Sequence, residues 1–196
     1  MVCARVPAMV KNDVRRTALS DAGIAVLARE GSRGLTHRAV DAEAGVPVGT
    51  TSNYFRSRES LLTGLFERIG ARLAPAPADL EARAAESPSP ELFAAYVRDV
   101  VRRLTADREV TLALYELRLE AARRPELAAS LGDWQRAGLD ADVAFNEAAG
   151  LPGGRREIAL FHYAIEGLVL DRLTAPIDPG TTTDEVVDAL VAGLLR

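Results

Sequence analysis

From Ala44 to Ser57 the chain reads AGVPVGTTSNYFRS, a stretch with no carboxylate, one arginine and a cluster of small hydroxyl side chains. In a protein whose residues are 27% charged, an ordinary solvated helix would carry Glu and Lys there. Short hydroxyls can donate to phosphate or to base edges, whereas a carboxylate near phosphate opposes binding. Gly49, Thr50 and Ser52 are small enough to let a helix lie deep in a groove, with Val48 and Asn53 on the same segment. Thr36, His37 and Arg38 stand at a helix start, where free N–H groups offer a phosphate site. Tyr54 and Arg58 are placed to reach the flanking backbone.

A second set of polar residues interrupts two segments that are otherwise apolar nearly all round. VTLALYELRLEAA (110–122) carries Glu116, Arg118 and Glu120, and IALFHYAIEGLVL (158–170) carries His162 and Glu166. Glu116/Glu120 and His162/Glu166 each have i, i+4 spacing, which puts each pair on one helix face. Two readings stand. His162 and Glu166 can pair with each other or with an arginine, inside the fold or at an interface. Alternatively Tyr96, Tyr115, Glu116, Trp134, Phe161, His162 and Glu166 line a mainly apolar pocket with a few orienting polar groups. Catalysis draws little support. Neither histidine follows a Glu at the spacing of a helical di-metal site, and no Gly-rich phosphate loop, G-x-S-x-G elbow or Cys–His arrangement is present. The one cysteine, Cys3, allows no intramolecular disulfide or multi-cysteine metal site. No metal or cofactor is expected.

The elements that must position these residues are helical, because helical spacing with start and stop signals recurs from end to end and strand alternation does not. Helix one is expected over about 12–29, ended by Gly31 and Gly34, and Thr36 caps a short helix to Ala44 that Gly45 stops. A second short helix covers about 48–54, and Ser57 caps the next, which runs to about Leu73 with Leu61, Leu62, Leu65, Phe66 and Ile69 on one face. The Ala/Pro/Ser-rich segment 74–90 marks a boundary, with room for a helical turn inside it. Five further helices follow at about 90–105, 108–123, 125–149, 155–174 and 183–195. The expected fold is all-α with about nine helices: a loose arm over 1–10, a three-helix unit over 11–56 and a larger helical body over 57–196. Two two-turn helices joined at Gly45-Val46-Pro47, packed inward through Val40, Ala44, Val46 and Phe55, form a helix–turn–helix. Such a pair also occurs in proteins that never touch DNA.

Charge favours the nucleic-acid reading. Residues 1–75 hold 11 Lys and Arg against 7 Asp and Glu, while residues 76–196 hold 13 against 21, so a basic head sits on an acidic body within a net charge of −4. Neither the interrupted opening MVCARVPAMV nor the run Ile158–Leu170 has the length of a secretory core or of the ~20-residue membrane span, so a cytoplasmic protein without a membrane partner is expected. Organised sequence begins after Met9, which leaves Met1 and Met9 both open as the start.

The segment GLTHRAVDAEAGVPVGTTSNYFRSRESLL (34–62) resembles the DNA-binding signature of the TetR family of transcriptional regulators. It matches in the Thr opening the second helix, Ala-Gly-Val at the turn, Gly-Thr opening the recognition helix, Tyr-Phe closing it, and a basic-Glu pair before Leu-Leu. Three departures stand out. Pro47-Val48 replaces the frequent Ser-Lys, Thr51-Ser52 replaces the usual Leu-Tyr, and Asp41 takes a position where a small residue is common. The resemblance implies that the body binds an inducer and that the last two long helices form a four-helix dimer seam. Ile165, Leu168, Val187, Leu190, Val191 and Leu194 are the expected seam residues. It also implies a homodimeric repressor on a palindromic double-stranded operator, released by a small-molecule effector. The alternatives are a DNA-binding helical dimer without an effector and a small helical enzyme using Glu116, Glu120 and His162.

Overall fold

Gly31 breaks the first helix. In the computed structural model, which describes residues 8–195, α1 (Ala8–Gly34) bends where Gly31 takes φ 69° and ψ −178°, a conformation strained for any residue with a Cβ. Cys3 and most of the expected arm lie outside the described residues, and α1 starts at Ala8 instead of near Asn12. The remaining helices are α2 (His37–Glu43), α3 (Thr50–Tyr54), α4 (Arg58–Leu73), α5 (Pro77–Arg83), α6 (Pro90–Ala106), α7 (Arg108–Ala121), α8 (Pro125–Ala148), α9 (Arg155–Leu173) and α10 (Thr183–Leu194). The described residues contain no strand, so the all-α expectation holds. The helix not expected in full is α5, inside the Pro-rich segment, where Pro77 presets φ in the first turn and Asp79 complements the helix dipole.

Side-chain caps set the starts. The Thr36 hydroxyl accepts from Ala39 N at 3.1 Å, and Ser57 and Ser60 cap each other reciprocally at 3.0 and 3.1 Å ahead of α4. Ser89 accepts from Leu92 N at 3.1 Å to open α6, and Thr182 with Glu185 forms a capping box on α10.

The chain divides into two compact units. One runs through Leu73 and takes in Glu109–Leu131; the other holds Ala74–Arg108 and Gly132–Arg196. In the first, α1 packs on α2 and α4 around Leu19, Ile24, Leu27, Leu35, Val40, Phe55, Leu61, Leu65 and Ile69, with Val110, Ala113 and Leu117 of α7 in the same core. Each fully buried Leu, Ile or Phe contributes roughly 1.5–3 kcal/mol. This core is what holds α3, whose five residues could not stay helical alone. Close approach is possible because Gly64 carries no side chain: a Cβ there would come within 2.4 Å of the Phe55 ring.

In the second unit α6, α9 and α10 pack together, burying Phe93, Val97, Val101, Ile158, Phe161 and Val169. Phe93 and Phe161 pack with ring centroids 4.8 Å apart and planes tilted by 55°. Four positions expected on a dimer seam, Ile165, Leu168, Val187 and Val191, are buried in this core, because α9 and α10 turn those faces toward their own chain. Leu190 and Leu194 are half-buried. The apolar side chains that α9 leaves at the surface are Leu160, Tyr163 and Leu170. No helix among the described residues is long and apolar enough to cross a membrane.

Candidate nucleic-acid interface

The turn between α2 and α3 is built around one buried carboxylate. Asp41, 1% exposed, accepts at Oδ2 from Gly49 N (2.7 Å) and at Oδ1 from both Thr51 N (2.7 Å) and the Thr51 hydroxyl (2.6 Å). It therefore caps α3 from the preceding helix and satisfies amides that a short helix would leave open. Burial raises the Asp41 pKa, but the bonds from Thr51 and Gly49 and the nearby His37 outweigh it and hold the carboxyl below the usual range. Asp41 and Thr51 were two separate departures from the family pattern; in three dimensions they are a single interaction.

The N-cap of α3 is Gly49 at φ 93°, ψ −5°, with nothing within 4 Å of where a Cβ would stand. Gly49→Ala should cost about 1–2 kcal/mol of stability, all of it backbone strain. Urea unfolding measures it, and an unchanged midpoint would show that the turn relaxes freely.

Around this turn the anticipated residues divide by what they touch. His37 Nε2 donates to the Phe55 carbonyl at 2.6 Å, tying the start of α2 to the end of α3. Arg16 of α1, which no sequence signal singles out, donates to the Tyr54 carbonyl (3.3 Å) and lies over the Phe55 ring at 4.4 Å. The Tyr54 hydroxyl donates to Asn12 at 3.2 Å, so the phenol is steadied against α1. Thr50 and Ser52 donate within the turn, to Pro47 O (2.6 Å) and Gly49 O (2.8 Å).

Arg58 is turned inward instead of toward a flanking backbone. Its guanidinium donates to Leu35 O (2.5 Å), Ser32 O (2.6 Å) and the Ser32 hydroxyl (2.9 Å). Ser32 in turn bonds Glu120, which also takes Arg124 Nε at 2.5 Å. Burial raises the Glu120 pKa, but Arg124 and Ser32 reverse the shift and leave the carboxyl below its ordinary range. The structure thus joins α1, α4 and α7 through a buried polar chain, and Glu120 is part of that framework.

At the surface of the head, Arg38 and Arg56 are exposed and have no ion-pair partner among the described residues. Val48 is 77% exposed, and Ser52 and Asn53 are exposed beside it. The exposed residues of α3 are uncharged and Arg56 follows the helix two residues on, a composition compatible with a polyanion. Arg56 was missed as a candidate, although its place in the acid-free run was the available signal.

The anticipated pocket residues are distributed over both units. Tyr115 and Glu116 belong to the first, where Glu116 lies over Gly31, 3.3 Å from the position of a Cβ. In the second, His162 Nε2 donates to Asp142 at 2.9 Å. Tyr96 stands edge-on to Phe145 at 5.1 Å with Arg83 over its ring, Phe161 is buried against Phe93, and Trp134 is 36% exposed. The described residues gather no group of three or more His, Cys, Asp or Glu that could hold a metal ion.

The short pair α2–α3, with its Gly turn, defines a helix-turn-helix protein of the all-helical class. A profile described as "Tetracyclin repressor-like, C-terminal domain" matches residues 88–196, more than half of the chain. The chain belongs to the TetR family of transcriptional regulators. It is similar to a TetR-family member from Streptomyces coelicolor, at 27% identity and TM-score 0.71 over 93% of this chain and 98% of the other. It is also similar to the multidrug binding protein EbrR solved with ethidium, at 27% identity and TM-score 0.68 over 93% and 99% of the two chains. A transcriptional regulator from Rhodococcus shares the fold at 20% identity and TM-score 0.68 over 92% and 95%. Curated protein sequences give no significant match.

Proposed function

We propose that the protein is a homodimeric repressor that places α3 of each subunit in the major groove of a palindromic operator and leaves the DNA when a small molecule binds its body. The observation that carries this reading is the rigid seating of α3 by the buried Asp41, with an acid-free outer face between exposed arginines. A preordered, uncharged helix flanked by cations suits groove entry with phosphate contacts on either side. Arg38, Arg56, Tyr54 and the start of α2 are assigned to the backbone, and Val48, Gly49, Thr50, Ser52 and Asn53 to the groove.

Leu160, Tyr163 and Leu170, exposed at i, i+3 and i+10 on α9, supply an apolar stripe for a second subunit. The complexes of EbrR with proflavin, malachite green and ethidium support a small-molecule effector here as well. Release then follows from linkage: the effector must bind the DNA-incompetent arrangement of the heads more tightly, or it shifts nothing.

Selection of bound duplexes from a random pool should return a palindrome with half-sites about one helical turn apart, and affinity should fall steeply with salt. Sequences without twofold symmetry, or binding indifferent to salt, would sink the reading. Tyr54→Ala should weaken operator binding about tenfold while sedimentation shows the dimer intact, since the phenol would exchange its 3.2 Å bond to Asn12 for one to a phosphate, and a hydrogen bond to a charged group is of that order. Unchanged binding would remove Tyr54 from the interface.

A further inference from the structure

Three features of the α3 surface, taken together, constrain which bases it could read. First, the hydroxyl protons of Thr50 and Ser52 are already donated, to Pro47 O and Gly49 O, so toward solvent these oxygens offer lone pairs. Second, Asn53 is exposed with no hydrogen-bond partner among the described residues, leaving an amide that can donate and accept at once. Third, Val48 holds an apolar side chain 77% exposed beside the N-cap, in a position where burial in the protein supplies no reason for it. No Lys or Arg occurs between Ala44 and Phe55, so the stretch lacks the side chains that grip guanine at O6 and N7 in a bidentate fashion.

In the major groove adenine presents an N6 amino donor beside the N7 acceptor, and thymine presents its C5-methyl. An unpartnered Asn amide, hydroxyl acceptors and an exposed isopropyl group are the complement of that pattern. We propose that Val48 and Asn53 make this chain a reader of A·T pairs at the core of each half-site, Asn53 bonding adenine at N6 and N7 and Val48 packing on a thymine methyl. The inference rests on the operator-binding reading and adds to it the base class that is read. The cap by Asp41 is what fixes the register of both side chains, because it consumes the amides through which α3 could otherwise turn toward a phosphate.

The test uses the full-length protein and the duplex it selects from a random pool. A·T pairs should dominate the core of each half-site. Replacing core thymines with deoxyuridine removes only the methyl groups; it should weaken the wild type severalfold and leave Val48→Ala unaffected. Replacing core adenines with 7-deazaadenine removes N7; it should weaken the wild type about tenfold and leave Asn53→Ala unaffected. Both variants are at exposed positions, so their folding is not at issue. A palindrome with a G·C core, or equal losses in wild type and variants on base substitution, overturns the A·T reading while leaving operator binding in place. Failure to select any palindrome overturns both.

Discussion

An Asp41→Ala variant should lose about 3 kcal/mol of stability and bind operator DNA too weakly to detect at wild-type concentrations. The substitution leaves the fully buried Thr51 N and Thr51 hydroxyl and the half-buried Gly49 N without an acceptor, and an unsatisfied buried donor costs about 1–3 kcal/mol each before relaxation. α3 has five residues and its N-cap Gly49 offers no side-chain cap, so Asp41 is the side chain that accepts from its first amides. Urea unfolding measures the first effect and titration with the selected duplex the second. A variant within about 0.5 kcal/mol of wild type, well inside the range of ordinary surface substitutions, would show that the buried carboxylate is not what holds the turn.

The same group gives a pH dependence with a definite sign. The folded-state pKa of Asp41 is depressed, so its contribution is complete above the ordinary carboxylate pKa of about 4 and is lost as pH falls through the lower folded value. Glu120 is depressed as well and acts in the same direction. The stability gap between wild type and Asp41→Ala should therefore be constant near neutrality and narrow below about pH 4.

Arg58→Ala should cost about 3 kcal/mol of stability while leaving the salt dependence of DNA binding unchanged. The guanidinium donates to two carbonyls and one hydroxyl of the α1 end, and hydrogen bonds from charged groups are worth about 1.5–3 kcal/mol each before the partners relax. Removal also strips a cation from beside Glu120, leaving Arg124 and Arg123 to neutralise it. A phosphate contact would behave differently: its loss would lower the slope of log affinity against log salt by about one, with little change in the unfolding midpoint. A reduced slope in Arg58→Ala would return this residue to the DNA surface, and Arg38→Ala and Arg56→Ala are expected to give that result.

The helix-turn-helix was legible in the sequence because its signals are local. A Thr cap, two glycine stops and an acid-free run fix two short helices and a turn between them, and periodicity extends the same reading through the body. The sequence likewise supports the regulator family, since the signature from Gly34 to Leu62 is contiguous. What tertiary structure decided is where the polar side chains point. Arg58 and a phosphate-binding arginine look alike in sequence; only the position of Ser32 and Leu35 beside α4 turns this one inward. His162 lies four residues from Glu166 on one helix, yet it bonds Asp142 from α8 because packing brings that carboxylate to 2.9 Å. The seam positions Val187 and Val191 are apolar at helical spacing, a pattern that says a face is buried without saying by which chain. Asp41 and Thr51 make the point most directly: ten residues apart, each departs from the family pattern, and only the fold brings carboxylate and hydroxyl to 2.6 Å, where each accounts for the other. Local rules set the elements because caps and periods act within a few residues. Long-range packing sets the partners, because a side chain's environment is made by segments that the local pattern does not record.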